Sequence, residues 1–178
     1  MSLRDAVAKH YSTKFGEPAE VRPYSSGDAD IAISKWDVSP STGGTSLYCT
    51  NGCSVFRDDE GKSVEILVGL LPECDEVYNS LADMAGTIVL GQSVQHGGTW
   101  NMGGPLWKGT QLSFFMTLHQ HTTLDPLDEG DTHVEFYNGI LLFEYEAELK
   151  REKGLDALKQ HWREGRVRFW DPRRLPAG

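Results

Sequence analysis

The sequence predicts an α+β fold, in which helices flank a mixed, largely antiparallel β-sheet. Three observations support this class. Apolar residues recur at helical spacing near both ends of the chain and in its middle. Short stretches rich in β-branched residues lie between them, and Gly, Pro and Asn clusters separate these stretches. The predicted order α, β, β, β, α, β, β, α is typical of layered domains, and 178 residues suit a single domain.

The first half of the chain begins with a predicted helix over residues 4–16, where Ala6, Val7 and Tyr11 share one face and Gly16 ends the helix. Strands follow, separated by a turn at "SPSTGG", by Asn51-Gly52 and by the turn "DDEG". The nearly continuous apolar run of the third strand indicates a central position in the sheet. The predicted strands are 28–38, 45–50 and 62–70.

The second half begins with an amphipathic helix over residues 72–86, with Pro72 in its first turn. A glycine-rich segment at 87–110 is predicted to be extended, with tight turns. The last predicted elements are a strand at 112–124, one or two strands at 132–145 and a helix at 144–162 that breaks at Gly154. We therefore expect one domain over 1–178, with 161–178 as a basic, aromatic C-terminal tail.

Composition and charge narrow the classes of function. A net charge of −9 argues against a nucleic-acid partner, because most of the surface would repel phosphates. No apolar run is long enough to span a bilayer, and the charged N-terminus does not resemble a signal peptide. Three cysteines do not make a disulfide framework. We expect a cytoplasmic protein; its oligomeric state is left open.

The strand "LSFFMTLHQHTTL" predicts either a metal site or polar residues on the open face of a sheet. Residues of one parity share a face, so His119 and His121 point the same way. A hairpin that pairs His121 with His133 would bring Glu135 opposite His119, and this set suits zinc, iron or manganese. One candidate function is therefore that of a small, cupin-like metalloenzyme. Polar histidines at this kind of position are nevertheless common without a metal.

The chain as a whole resembles the suppressor of fused (SUFU) domain family. A strand ends in a T-x-G-x-S turn made by Thr50, Gly52 and Ser54, and an apolar strand and an amphipathic helix follow it. A glycine-containing segment then leads to a late apolar strand and to Glu148, Leu149 and Gly154. The resemblance rests on the order and spacing of these motifs, and it covers roughly residues 1–160.

This resemblance implies a binding module that is not an enzyme and needs no cofactor. Animal members hold a transcription factor with the help of a second domain, which we do not expect within 178 residues. Compact bacterial members resemble immunity proteins, which neutralise polymorphic toxins by direct binding. An acidic protein suits that role, since many toxins are basic and opposite charge speeds encounter.

Two sets of residues are the predicted interface with this protein partner. Trp100 and Trp107 are candidate aromatic anchors, although packing into the core is an equally good interpretation of both. The second set is an acidic loop of four residues, Asp125, Asp128, Glu129 and Asp131.

Overall fold

A computed structural model describes residues 1–119 and 123–176 of the chain. Within these residues the α-helices are α1 (Leu3–Phe15), α2 (Val77–Val89), α3 (Glu144–Lys153) and α4 (Leu155–Glu164), and a short 3₁₀ helix spans Cys53–Val55. The strands are β1 (Glu20–Ser26), β2 (Ala29–Trp36), β3 (Ser46–Asn51), β4 (Ser63–Leu70), β5 (Gly98–Asn101), β6 (Phe114–His119), β7 (Leu127–Glu129) and β8 (Thr132–Leu142).

The described strands form one sheet in the order β1-β2-β3-β4-β8-β6-β5, and β7 pairs with the first residues of β8. Among the described strands only the β4–β8 pair is parallel, and the other pairs are antiparallel. Both central strands are largely buried, which agrees with the apolar run predicted for β4. The predicted α+β class with a mixed, largely antiparallel sheet is confirmed.

Helices cover both faces of the sheet, because alternate side chains of each strand point to opposite sides. On one face, Ile66 and Phe115 belong to the core beneath α2. On the other face, Leu67 belongs to a cluster beneath α1, and Met116 belongs to a separate cluster beneath α3 and α4. The second face thus carries two clusters, with a strip of sheet between them.

Three strands were not predicted, because none of their sequences shows a clear alternation of apolar and polar residues. In the edge strand β1, Val21 is exposed and Pro23 interrupts the run, as is common at sheet edges. The strand β5 has four residues within the glycine-rich segment. The strand β7 lies in the segment that the sequence indicated as an acidic loop, and Gly130-Asp131 joins it to β8 as a two-residue turn.

One predicted helix begins at a different residue in the structure, and the predicted break in the last helical segment is observed. The helix predicted over 72–86 runs over Val77–Val89, so Pro72 lies before it. The residues ahead of the helix are engaged elsewhere, since Glu73 and Asp75 both accept hydrogen bonds from the buried Lys35. The last helical segment does break at Gly154, whose φ of 90° is left-handed.

Among the described residues, none of the helices has the length and apolar character needed to cross a membrane.

Candidate protein-interaction surfaces

The predicted acidic loop is a structured hairpin, formed by β7, the Gly130-Asp131 turn and the start of β8. Asp125, Asp128 and Asp131 are exposed, while Glu129 is half-buried in β7. Leu127 packs against the cluster beneath α1. The backbone is held further by His10 on α1, whose Nε2 lies 2.8 Å from the carbonyl oxygen of Asp125. The carboxylates therefore project from a fixed frame. We call this surface the acidic hairpin.

A chain of hydrogen bonds joins the acidic hairpin to the end of β6. His133 places its Nδ1 2.5 Å from Oδ1 of Asp128 and its Nε2 2.8 Å from Oε1 of Glu135. The other oxygen of Glu135, Oε2, lies 2.6 Å from Nε2 of His119. Both ring nitrogens of His133 face carboxylate oxygens, so the protonated ring, which donates from both, fits this geometry best.

The electrostatics of this hydrogen-bonded network favour the protonated form of His133 and the ionised form of Glu135. Hydrogen bonds to Asp128 and then to Glu135 raise the pKa of His133. Partial burial raises the pKa of Glu135, but the hydrogen bonds from His119 and His133 outweigh burial and the net pKa is lowered. These side chains thus form an ionic network at the surface of the sheet, which stabilises a protonated histidine beside two carboxylates.

The histidine geometry needs a correction. His119 faces Tyr137 rather than Glu135, so the predicted pairing was wrong by two residues. The β7 hairpin takes up the chain that the prediction had placed in a simple loop. A shift of two keeps side chains on the same face, and for this reason His119, His133 and Glu135 still meet.

The structure describes only part of the predicted metal-ligand set. His121 lies outside the described residues, and within them no group of three or more His, Cys, Asp or Glu side chains is placed to hold a metal ion. The imidazole nitrogens of His133 are instead bonded to the carboxylates of Asp128 and Glu135.

The two predicted aromatic anchors differ in exposure. Trp100 is only 5% exposed and belongs to the core beneath α2, so it offers little side chain to a partner. Trp107 is half-buried and packs against the edge of the same core. Core packing, the alternative interpretation, describes Trp100.

The basic C-terminal tail packs back onto the domain. Phe169 stacks on Trp162 of α4 with ring centroids 4.7 Å apart. The backbone N–H of Leu71, at the end of β4, donates to the carbonyl of Trp170. The basic and aromatic character of the tail is evident in the sequence, but its contact with β4 is not, because the contact joins residues that are far apart in the chain.

A buried ion pair fixes the end of the tail. Glu146 of α3 is fully buried, and its carboxylate accepts hydrogen bonds from both terminal nitrogens of Arg174, at 2.7 and 2.8 Å. The carboxylate also accepts from Nε1 of Trp162 and from the backbone N–H of Phe143. The sequence does not reveal this pair, because 28 residues separate its members.

An apolar groove lies on the sheet face between the α1 cluster and the α3–α4 cluster. It has two lobes, each of about 510 Å³, and both are lined by Leu118, Phe169 and Trp170. The first lobe continues over Ile140 to the β2–β3 turn. The second lobe runs along α4 and the tail. We call both lobes together the C-terminal groove.

The T-x-G-x-S turn surrounds a second fully buried carboxylate, that of Glu65 on β4. Thr50 donates to Oε2 at 2.6 Å. The backbone N–H of Gly52 and both the N–H and hydroxyl of Ser54 donate to Oε1. Gly52 has φ +129°, and a Cβ there would lie 2.6 Å from the carbonyl oxygen of Asp30. Each residue of the motif thus has a structural reason.

Taken together, fold and surfaces define an α+β domain with ordered charged surfaces outside its core. The carboxylates of Glu65 and Glu146 hold the chain together inside the domain, and Asp128, His133 and Glu135 form a charged network at its surface.

The chain belongs to the suppressor of fused family, whose sequence model, "Suppressor of fused protein (SUFU)", matches residues 27–175. The resemblance noted in the sequence is thereby confirmed. No curated protein sequence matches the chain significantly.

Solved structures share the fold over nearly the whole chain. A suppressor of fused homologue from Neisseria gonorrhoeae FA 1090 is similar with a TM-score of 0.71 and 16% identity, over 97% of this chain and 94% of that one. A chain of the Sufu–Fu complex has a TM-score of 0.68 and 14% identity, over 98% and 90%. Drosophila Suppressor of Fused has a TM-score of 0.71 and 13% identity, over 99% of this chain but only 50% of its own length.

Proposed function

We propose that this domain is a cytoplasmic, non-enzymatic binding protein that neutralises a cognate toxin, as a bacterial immunity protein does. Membership of the suppressor of fused family supports binding as the activity, and the Sufu–Fu complex contains a chain of this fold together with a second protein. A homologue of similar length from Neisseria gonorrhoeae supports a bacterial setting for the compact form.

The acidic hairpin is the observation on which the proposed interface rests. Three exposed carboxylates, those of Asp125, Asp128 and Asp131, stand on a frame that is anchored to the core. A rigid interface loses little conformational entropy on binding. The net charge of −9 adds a long-range field, which steers a basic partner toward the protein. The toxin would be blocked by occlusion of its own basic surface.

The experiment is a protection assay with the toxin domain encoded next to this chain's gene. Both are expressed in a bacterial host, and survival is compared with and without this chain; titration calorimetry with purified proteins measures binding. We expect survival only with this chain. The variant D125K/D128K/D131K is expected to lose protection and to bind at least tenfold more weakly, an effect of the size seen for rim and core charges.

The matched control is E17K/D37K/E148K, which changes the net charge equally at exposed positions outside the hairpin. If both variants lose protection and affinity equally, the effect comes from net charge alone, and the hairpin is excluded as the interface. A toxin that kills equally with and without this chain would contradict the immunity role.

A further inference from the structure

We propose that the C-terminal groove is a second binding site, which takes an acidic peptide segment of a partner protein with an apolar side chain as its anchor. This site does not depend on the immunity role, and its charge is opposite to that of the acidic hairpin. The inference rests on the lining of the groove, on the charges around it and on one backbone conformation.

The lining explains the apolar anchor. Leu118, Trp162 and Phe169 form the floor of the second lobe. Leu118 and Trp162 are buried at 3% and 5% exposure, whereas Trp170 is 37% exposed at the rim. On β8, Ile140 lies between Phe136 of the α1 cluster and Leu142 of the α3–α4 cluster; it packs against the latter but stays half-buried, and it lines the first lobe. A volume of about 510 Å³ per lobe is enough for one or two large side chains.

The rim explains the acidic flanks. Four cations line the second lobe, namely Lys159, Arg163, Arg166 and Arg168. In the described part of the chain no carboxylate lines either lobe, and none of the ion pairs found there involves these four residues. Glu164 is adjacent in sequence, but it accepts a hydrogen bond from Gln160 on its own helix.

For a ligand inside the groove, the positive charge of the four rim cations outweighs the net negative charge of the whole protein. The chain carries −9 overall, but salt screens exposed charges beyond about 8–10 Å at physiological ionic strength. A carboxylate that enters the groove therefore interacts mainly with the rim cations. A long polyanion such as a nucleic acid extends beyond the groove and meets the acidic surface as well. This difference favours a short acidic peptide.

The backbone at Arg166 is a separate indication. Its φ is +50°, and it is the only residue other than glycine with a positive φ among those that the structure describes. It follows Gly165 at the end of α4. A glycine would adopt this conformation without strain, so an arginine here has a backbone cost, and a role for its charge at the rim would offset that cost.

The first test identifies the ligand class. Short random peptides are selected on the intact protein, and the enriched peptides are synthesised with a fluorophore and titrated by anisotropy. We expect enriched sequences with several carboxylates beside an aromatic or large aliphatic residue, and affinity that falls as salt rises. Enrichment of neutral or basic peptides would overturn the proposal.

The second test places binding in the groove. R163E/R168E is expected to weaken peptide binding by at least tenfold, and R163Q/R168Q by less. The matched control R151E/K153E reverses two exposed cations on α3 that do not line the groove, and we expect it to change affinity less than threefold. An equal loss in the control would mean that only net charge matters. Circular dichroism checks that each variant is folded.

Arg166→Gly separates charge from backbone strain. We expect its melting temperature to stay equal or to rise, while peptide affinity falls severalfold. Unchanged affinity would remove Arg166 from the site.

Two other occupants are tested with the same variants. The first is a nucleic acid. If labelled oligouridylate binds, R163E/R168E abolishes that binding and acidic peptides do not bind, the groove is a nucleic-acid site instead. Sedimentation that shows a dimer dissociated by R163E/R168E, again without peptide binding, would make a second copy of this chain the occupant. Either result overturns the peptide proposal.

Discussion

The two fully buried carboxylates of this domain are held in opposite ways. Glu65 accepts hydrogen bonds only from neutral groups, and all of these belong to one short segment, residues 50–54. Glu146 faces the guanidinium of Arg174, which arrives from the C-terminal tail. Neutral donors from a local turn fix the geometry of one strand end, whereas the ion pair ties a distant segment to α3.

This difference predicts two kinds of failure. Loss of a partner of Glu65 disturbs the β3–β4 end of the sheet, beneath which Tyr11 of α1 also donates to the carbonyl of Thr50. Loss of Arg174 leaves a buried charge without its counter-charge and frees the tail that forms one wall of the C-terminal groove. The second failure should cost more free energy, because an uncompensated charge is more expensive than an imperfect neutral hydrogen bond.

Arg174→Ala tests the larger effect. We expect the free energy of unfolding to fall by about 3–5 kcal/mol, the cost of breaking one side of a buried pair, as measured by urea denaturation. Trypsin should also cleave the tail at Arg166 or Arg168 faster than in the unchanged protein. Arg173→Ala is the control, since that neighbour is exposed, and it should change stability by less than about 0.5 kcal/mol. Equal midpoints for the two variants would contradict the role of the ion pair.

Glu65→Gln tests the neutral cluster. The amide oxygen of Gln can still accept from Gly52 and Ser54, but its NH₂ group would face the hydroxyl of Thr50, which already accepts from the N–H of Ile66. The lost charge-assisted bond should cost about 2 kcal/mol. Glu152→Gln, at an exposed position, is the control. A stability loss larger than that of Arg174→Ala would reverse the comparison.

Cys53 reports on the Glu65 cluster alone. Burial, and then the nearby charge of Glu65, raise the pKa of this thiol well above its ordinary range, so it should react slowly with thiol reagents in the folded protein. In Glu65→Gln we expect labelling of Cys53 to be faster than global unfolding predicts, because the turn opens locally. In Arg174→Ala labelling should follow global unfolding. Mass spectrometry separates Cys53 from Cys74, and equal excess labelling in both variants would contradict local opening.

The Glu65 cluster can be recognised in the sequence, whereas the pair of Glu146 and Arg174 cannot. Thr50, Gly52 and Ser54 form a local motif, and Glu65 is a single carboxylate within an apolar strand. That combination indicates a buried acid that needs donors nearby. Nothing local connects Glu146 to Arg174, because the pair depends on how the tail crosses α3 and on the backbone contact between Leu71 and Trp170.

The same limit explains the errors at the histidines. Alternation correctly predicted that His133 and Glu135 share a face of their strand. That His119 lies on the same side depended on the assumed register, which was wrong by two residues and therefore preserved the face. The register depends on where the turn lies, and the sequence prediction places Gly130-Asp131, which allows a two-residue hairpin, within a loop. The sheet and most helices follow from periodicity, while their exact pairing does not.

Glu135 extends the comparison to a carboxylate at the surface, where the smallest effect is expected. It is half-buried, and its partners His119 and His133 are themselves titratable. The pKa of His133 is raised above its ordinary value of 6.5, first by the hydrogen bond to Asp128 and then by that to Glu135. The stability that these bonds contribute is therefore fully present below pH 6.5, and it is lost as pH rises through the higher pKa of the folded state.

Asp128→Asn should lower the pKa of His133 toward 6.5, since it removes the larger of the two causes. The titration of the ring protons by NMR measures this shift, and Asp131→Asn is the control because its exposed carboxylate has no hydrogen bond to the ring. Because His133 is largely exposed, global stability should change far less than in the two buried clusters. An unshifted pKa in Asp128→Asn would mean that Glu135 alone holds the proton on His133. In that case the acidic hairpin would be electrostatically independent of the sheet beneath it.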